Sequence, residues 1–310
     1  MLEVASELVG RETWAHKQAR IDLRVQGPNG WEVSLFASDG PDAVAEVLAG
    51  AVNFGIINPA TAIGPALRRL RVADDRVAAI ATIPSYDQLG LAVSATFGIT
   101  RLEDLAEAAP PLHLSLRGQR NHSVQMVVED VLGAVEVSFA DIETWGGRVI
   151  YQNDLPHRGE RATAMADGSV SAVFDEGIYN WVDLAHDAGL VFLTMGADVL
   201  DRLESMGYRR AVLRRRRFPT LATDIDTVDF SGFLIYTHAD EDDDLVESFC
   251  SALHARADRI PWQGGPQLPL TEMVVDAIDA PLPVPLHPAA AAFWRSHLPA
   301  PSSGGGEAPG

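Results

Sequence analysis

Residues 35–57 have the sequence LFASDGPDAVAEVLAGAVNFGII, which gives the clearest indication of the fold class. Its apolar spacing predicts a helix over residues 42–48 and a buried strand over residues 53–57, with a polar turn before the helix. The turn NPAT at residues 58–61 then leads the chain into a further helix. A strand, a turn, a helix and a buried strand in this order are typical of an α/β protein.

On both sides of this stretch, helix-like and strand-like segments continue to alternate along most of the 310 residues. Period-two alternation or short apolar runs predict strands at 21–25, 77–83, 89–93, 112–116, 171–174 and 230–237. Helical spacing predicts helices at 2–14, 122–132, 160–166 and 245–257. The segment ITRLEDL, residues 99–105, predicts a short helix capped by Thr100, with Glu103 in the capping-box position. The fold class that follows is α/β.

The charge balance excludes some partners. The chain has 24 Lys and Arg against 43 Asp and Glu, a formal charge of −19. Such a surface repels a phosphate backbone, so we expect no nucleic-acid partner. The longest uncharged stretch, residues 47–67, contains prolines, asparagines and glycines that suit loops, and we expect no direct membrane insertion. Cys250 is the only cysteine, so the sequence offers neither an intrachain disulfide nor a cysteine-based zinc site.

The sequence also lacks the usual catalytic signatures. GxGxxG, GxxxxGK[ST], GxSxG and HExxH are absent, and the histidines are not spaced as two ligands on one helix face. The predictions are therefore no catalytic residue, no metal and no cofactor. The arginines at 209, 210 and 214–217 are interpreted as an exposed β-segment that balances nearby carboxylates.

Polar turns directly after the strands are the more informative feature. They include Asp39-Gly40, Asn58-Pro59, Ser85-Tyr86, residues 117–121 (RGQRN) and residues 175–177 (DEG). In open α/β sheets ligands bind at such carboxyl ends of strands. Each turn on its own equally fits an ordinary turn or cap.

In their order these segments resemble the TAXI family of solute receptors of tripartite (TRAP) transporters, which have the periplasmic binding protein type 2 fold. Residues 35–57 resemble the family's Thr-Gly-Gly-Ser turn, helix and strand, and residues 99–105 resemble its I-x-x-L-x-D-L segment. Residues 165–177 (MADGSVSAVFDEG) follow L-x-D-G-x-I-D-A-x-F-x-x-G, and residues 286–290 (LHPAA) resemble its H-P-G-A. At residues 112–124 only Gly118 and Ser123 of the family's glycine-rich motif are present.

The resemblance implies two lobes with a ligand cleft between them. Lobe 1 would comprise residues 1–92 plus 227–299, lobe 2 residues 93–226, and residues 300–310 a disordered Gly/Ser/Pro tail. It implies a small organic acid or amino acid in the cleft and delivery to TRAP permease subunits. Arg117 would take a carboxylate, with Glu176 or Asp175 open to an amine instead. The ligand-binding residues that we predict are Asp39, Asn58, Ser85, Tyr86, Arg117, Asn121, Glu176 and Tyr179.

Two alternatives remain open from the sequence. The family begins with a signal peptide and a first strand that this sequence does not show. The protein is therefore expected to be periplasmic or extracytoplasmic if the N-terminus is truncated, and cytoplasmic if Met1 is the true start. The main rival function is a cytoplasmic enzyme on the same fold, decarboxylase-like or pyrimidine-precursor-synthase-like. It would need His122 or His157 beside a carboxylate or Cys in the cleft.

Overall fold

The computed structural model describes residues 19–24, 30, 32–38, 40–260 and 270–297. The predicted N-terminal helix over 2–14, Asp39 and the tail over 300–310 lie outside these described residues. Within them, no helix combines the length and apolar character needed to cross a membrane.

The first sheet has five strands in the order β1-β2-β3-β12-β4. Its strands are β1 (Ala19–Arg24), β2 (Glu32–Ala37), β3 (Phe54–Ile57), β4 (Val77–Ile83) and β12 (Phe233–His238). β2 and β3 are parallel, and β12 runs antiparallel to both of its neighbours. The helices that belong to this sheet are α1 (Asp42–Leu48), α2 (Ile63–Leu70), α9 (Asp243–His254) and α10 (Pro288–His297). The helices pack on the sheet through two apolar clusters of buried side chains. In one of these clusters the rings of Phe54 and Phe249 stack with their centroids 4.2 Å apart.

The second sheet also has five strands, in the order β7-β6-β8-β5-β9. Its strands are β5 (Gly90–Ser94), β6 (His113–Arg117), β7 (Arg148–Gln152), β8 (Ala172–Asp175) and β9 (Leu190–Phe192). The helices of this half are α3 (Leu105–Ala108), α4 (Ser123–Gly133), α5 (Phe139–Thr144), α6 (Gly159–Ala166), α7 (Val182–Asp187) and α8 (Ala197–Ser205). A separate antiparallel pair is formed by β10 (Arg210–Leu213) and β11 (Ile225–Val228). Since β6, β7 and β8 are parallel, their carboxyl ends share one edge of the sheet.

The chain passes between the sheets twice, at residues 84–89 and 229–232. The two crossing segments lie side by side: the N–H of Phe230 donates to the carbonyl of Asp87, and the N–H of Gly232 to that of Ser85. The predicted lobe boundaries at 92/93 and 226/227 fall within β5 and β11. They lie a few residues from the two crossing segments. The prediction of a two-lobed α/β fold with a cleft between the lobes is confirmed.

The lobes also touch through their helices. Arg69 on α2 makes two hydrogen bonds of 2.7 and 2.8 Å to the carboxylate of Asp130 on α4. The hydroxyl of Tyr208 donates to the same carboxylate at 2.7 Å, and Arg68 reaches the carbonyl of Ser205 at 3.2 Å. These contacts hold the helices of lobe 1 against those of lobe 2.

Two local interpretations can be compared with the structure. The predicted capping box near Thr100 is wrong: Arg101 is the N-cap, and its guanidinium draws the carboxylate of Glu103 to itself at 2.9 Å. A strong cation two residues away outcompetes the backbone N–H for that carboxylate. The predicted exposed β-segment holds only for Arg210, which lies in the partly buried strand β10, whereas residues 214–217 form an exposed turn after it. Arg210 pairs with Asp201 and Glu204, and Arg214 with Asp224, so these charges balance nearby carboxylates.

A candidate ligand site between the two lobes

A cavity of about 210 Å³ lies where the crossing segments meet the strand ends of both lobes. Asn58 and Phe233 line it from lobe 1, and Ser85 and Asp87 from the first crossing segment. Lobe 2 contributes Arg117, residues 155–157, Glu176, Gly177 and Asn180. The volume is below the range of about 300–1,000 Å³ that is usual for drug-sized ligands, so the cavity suits a small solute.

The topology explains why these side chains meet. Asn58 follows β3, Arg117 ends β6, residues 155–157 follow β7 and Glu176 follows β8. The carboxyl ends of parallel strands meet at one edge, and that edge faces the crossing segments. A side-chain hydrogen bond fixes the approach: Nδ2 of Asn58 donates to the carbonyl of Gly232 at 3.0 Å, which ties the end of β3 to the second crossing.

The floor of the cavity is a buried ion network. Nη2 of Arg117 donates to Oδ1 of Asp175 at 2.7 Å and also to the carboxylate of Glu176. The other oxygen of Asp175 accepts from Arg161, whose Nε donates to the hydroxyl of Ser115 at 3.0 Å. Arg117, Arg161 and Asp175 are 0–1% exposed, whereas the side chain of Glu176 is 14% exposed. Glu176 is therefore the member of the network that a ligand can reach most readily.

Charge pairing, rather than solvent, sets the ionisation of this network. Burial alone would raise the pKa of Asp175, but the guanidinium groups of Arg117 and Arg161 lower it to about 2. Burial opposes the charge of Arg117 as well, and the two carboxylates beside it outweigh that cost and raise its pKa. Arg117 and Asp175 are consequently charged throughout the ordinary pH range.

Asp87 in the first crossing segment has a different environment. Its Oδ1 accepts the N–H of Gln88 at 2.8 Å and its Oδ2 the N–H of Gly177 at 2.8 Å. The carboxylate of Glu176 lies close enough to act on Asp87 electrostatically. Burial and the neighbouring Glu176 raise the pKa of Asp87 well above its ordinary value. Asp87 therefore holds a proton more readily than an exposed aspartate does.

The histidines named for the rival enzyme lie in different places. His157 lines the cavity, where burial lowers its pKa. His122 is buried behind Arg117: its Nε2 is 3.1 Å from Nη1 of Arg117, and its Nδ1 accepts the N–H of Val124 as the N-cap of α4. Among the residues that the structure describes, no group of three His, Cys, Asp or Glu side chains is arranged to hold a metal ion.

The predicted ligand-binding residues divide into two sets. Asn58, Ser85, Arg117 and Glu176 lie around the cavity. Arg117, predicted to take a ligand carboxylate, instead faces the carboxylates of Asp175 and Glu176. Asp39 lies outside the described residues.

The other predicted residues lie away from the cavity wall. The rings of Tyr86 and Tyr179 enclose the guanidinium of Arg217, with centroid distances of 4.4 and 4.3 Å. Asn121 donates to the carboxylate of Asp42 on the opposite lobe at 3.0 Å. Tyr86, Tyr179 and Asn121 thus make protein contacts beside the site, and their role toward a ligand stays a prediction.

Sequence reasoning missed Asp87, Asn180 and the loop over residues 155–157, apart from His157 as a candidate for the rival enzyme. Asp87 directly follows the Ser85-Tyr86 turn, so extending that turn by one residue would have included it. The loop after β7 was missed because β7 itself was not predicted.

The two five-stranded sheets, the two crossings and the cavity between them define the class: a two-lobed α/β protein with a cleft between its lobes. No protein-family model and no curated protein matches the sequence. Similar solved structures include an ABC-transporter choline-binding protein in complex with choline, at 13% identity and a TM-score of 0.38, covering 83% of this chain and 75% of that one.

Two further similar structures are of different kinds. Lactococcal OpuAC in its closed form with glycine betaine has 11% identity and a TM-score of 0.36, covering 84% of this chain and 82% of its own. The ATP phosphoribosyl transferase (HisG:HisZ) complex from Thermotoga maritima has 12% identity and a TM-score of 0.36, covering 82% of this chain and 93% of its own.

Proposed function

We propose that this protein is a solute receptor that encloses one small molecule in the cavity between its lobes. The observation that carries the proposal is the composition of the cavity wall, which takes polar side chains from lobe 1, from lobe 2 and from the crossing segment between them. A small molecule held there contacts all three at once. The free energy of binding this molecule then favours the arrangement of the lobes in which all three contacts are made.

The helix contacts between the lobes support this mechanism. Arg69 and Asp130 join lobe 1 to lobe 2 by an ion pair that is partly exposed to solvent, at 41% and 13%. Such a pair contributes about 1 kcal/mol or less, so it does not by itself lock the lobes together. A ligand bound in the cavity can therefore decide how much of the population is closed.

The second part of the proposal concerns the class of solute and the membrane transporter that receives it. We propose that the solute is a small organic acid or amino acid, and that the closed receptor delivers it to a TRAP-type membrane transporter from an extracytoplasmic compartment. The order of the sequence segments that resemble the TAXI family supports this part. The placement of residues 175–177 directly after β8, beside the cavity, is consistent with it.

Thermal unfolding against a panel of amino acids, small carboxylates and small amines tests the proposal. At a ligand concentration about 100 times Kd, a receptor gains about 2.7 kcal/mol, which raises the unfolding midpoint by several degrees. The expected result is a shift with one chemical class and recovery of the ligand unchanged after incubation.

Two variants make the test specific. Glu176→Gln removes the charge of the accessible cavity carboxylate and is expected to reduce the shift, measured from the variant's own ligand-free midpoint. Asp224→Asn, in the exposed pair with Arg214, is the matched control and is expected to keep the full shift. Chemical conversion of the ligand would overturn the proposal in favour of an enzyme, and a panel without any shift would also overturn it.

A further inference from the structure

The cavity wall holds one carboxyl group more than its buried cations can neutralise. Arg117 and Arg161 supply two positive charges, and Asp175 and Glu176 are hydrogen-bonded directly to them. Asp87 is the fifth charged group, and it accepts hydrogen bonds from the backbone N–H groups of Gln88 and Gly177. An unneutralised negative charge in so buried a place is costly, so the group must acquire either a proton or a positive partner.

We infer that the ligand of this site carries a positively charged ammonium group, and that it binds between Asp87 and Glu176 in exchange for the proton that the buried Asp87 carboxyl group holds. The inference rests on the proposed function and specifies which chemical class the cavity selects. The step balances as a simple exchange. The ammonium ion enters with its charge, Asp87 gives one proton to water, and no covalent bond of the ligand changes.

The geometry favours a cation in this position. The oxygens of Asp87 are held by the N–H groups of Gln88 and Gly177, both at 2.8 Å, so the carboxyl group is fixed before the ligand arrives. Glu176 is the more exposed partner and faces the same cavity. An ammonium group has three donors and no acceptor, which suits two adjacent carboxylates.

The same arrangement disfavours a ligand that is only an anion. Nη2 of Arg117 already donates to both Asp175 and Glu176, so a ligand carboxylate could use that nitrogen only by displacing one of them. It would also approach Asp87 and Glu176, whose ionised forms repel it. An amino acid remains compatible, because its ammonium group supplies the charge that the wall lacks.

Other charged groups surround the carboxyl pair and bear on its titration. Arg117 and Asp175 face it from the ends of β6 and β8, and Arg161 from α6. His157, in the loop after β7, interacts with Glu176 and lies close to Arg158, and Arg217 acts on Asp87 from the segment after β10. His157 favours its neutral form because it is partly buried and close to Arg158. Arg117, Arg161 and Asp175 keep their charges near neutral pH, which leaves Asp87 as the group that exchanges the proton.

The first experiment uses three probes of matched size: propionate, alanine and 2-aminopropan-1-ol, within the wider panel of acids, amino acids and amines. Isothermal titration calorimetry is run in phosphate and in MOPS, whose ionisation enthalpies differ and which contain no primary ammonium group, so the number of protons released is measured directly. We expect binding by compounds that carry an ammonium group, release of close to one proton below the pKa of Asp87, and an affinity that rises about tenfold per pH unit in that range.

The second experiment uses Asp87→Asn, which keeps a side chain of the same shape and removes the proton of the Asp87 carboxyl group. We expect weaker binding of the ammonium probe and loss of both the proton release and the pH dependence. Asp224→Asn on the exposed β10–β11 turn is the control and should change neither.

The outcomes separate the inference from the proposed function. Binding by carboxylates alone, or ammonium binding without proton release, overturns the inference and leaves the receptor proposal standing. Proton release that persists in Asp87→Asn also overturns the inference. A panel in which nothing binds overturns the receptor proposal and the inference with it.

Discussion

Replacing Asp175 with Asn tests whether the buried ion network stabilises lobe 2. Asp175 is fully buried and pairs with both Arg117 and Arg161. The Asn side chain fills nearly the same space but leaves two buried guanidinium groups facing each other with one negative partner fewer. Breaking a buried pair in this way costs about 3–5 kcal/mol.

The pKa of Asp175 gives an independent lower value. Its folded pKa of about 2 lies below the ordinary 3.8, so ionised Asp175 contributes roughly 2 kcal/mol at neutral pH. This contribution is fully present above pH 3.8 and is lost as the pH falls through 2, since the folded-state pKa is the lower one. It is smaller than the cost of substitution because a protonated carboxyl group still accepts hydrogen bonds.

Urea denaturation at pH 7, followed by circular dichroism, measures the loss of stability. We expect Asp175→Asn to lose 3–5 kcal/mol, or about 10 °C in unfolding midpoint. Asp224→Asn in the exposed pair with Arg214 should lose less than about 1 kcal/mol. The difference between wild type and Asp175→Asn should shrink between pH 5 and pH 2. A loss below 1 kcal/mol at pH 7, or a difference that does not depend on pH, would refute the reasoning.

Three further predictions concern other parts of the molecule. A double-mutant cycle of Arg69→Met and Asp130→Asn should give a coupling free energy of about 1 kcal/mol by urea denaturation, and a value near zero would show that the contact between the lobes is incidental. Burial raises the pKa of the Cys250 thiol to about 12, so a thiol-specific disulfide reagent at pH 8 should label the unfolded protein and not the native one; rapid native labelling would contradict that burial. Burial also raises the pKa of Asp229 to about 6, so its contribution to stability is present below pH 3.8 and is lost as the pH rises through 6. Between pH 4 and pH 7 wild type should lose up to about 3 kcal/mol relative to Asp229→Asn, and parallel stability curves would refute this.

The elements that the sequence predicted best are those with a strong local pattern. The helix Asp42–Leu48 and the strand Val77–Ile83 have the predicted bounds, because the helix begins at an acidic residue and ends just before Ala49-Gly50, and the strand is one apolar run between Arg76 and Pro84. The strands β7 and β9 were not predicted. β7 is only partly buried and β9 has three residues, so neither shows a long alternating pattern.

The site was predictable only where a side chain ends a predicted strand. Asn58, Arg117 and Glu176 were predicted at the cavity for this reason, because the carboxyl ends of the strands converge regardless of the local contacts. Asp87 lies in a crossing segment without regular structure, and its importance comes from Gly177 and Glu176, about 90 residues further along the chain. Contacts at such separation leave no periodic signal, and the arrangement of Arg217 between Tyr86 and Tyr179 escaped prediction for the same reason.

The position of β12 in the first sheet has a consequence for synthesis on the ribosome. β12 is formed by residues 233–238, yet it lies between β3 and β4, which are formed by residues 54–57 and 77–83. Until β12 emerges, β3 and β4 have no common neighbour, and their facing edges have unpaired backbone groups. The second sheet needs only residues 90–192 and can form while translation continues. The lobe that begins first in the sequence is thus the lobe that is completed last, and the nascent chain carries two open strand edges for the time needed to translate about 150 residues.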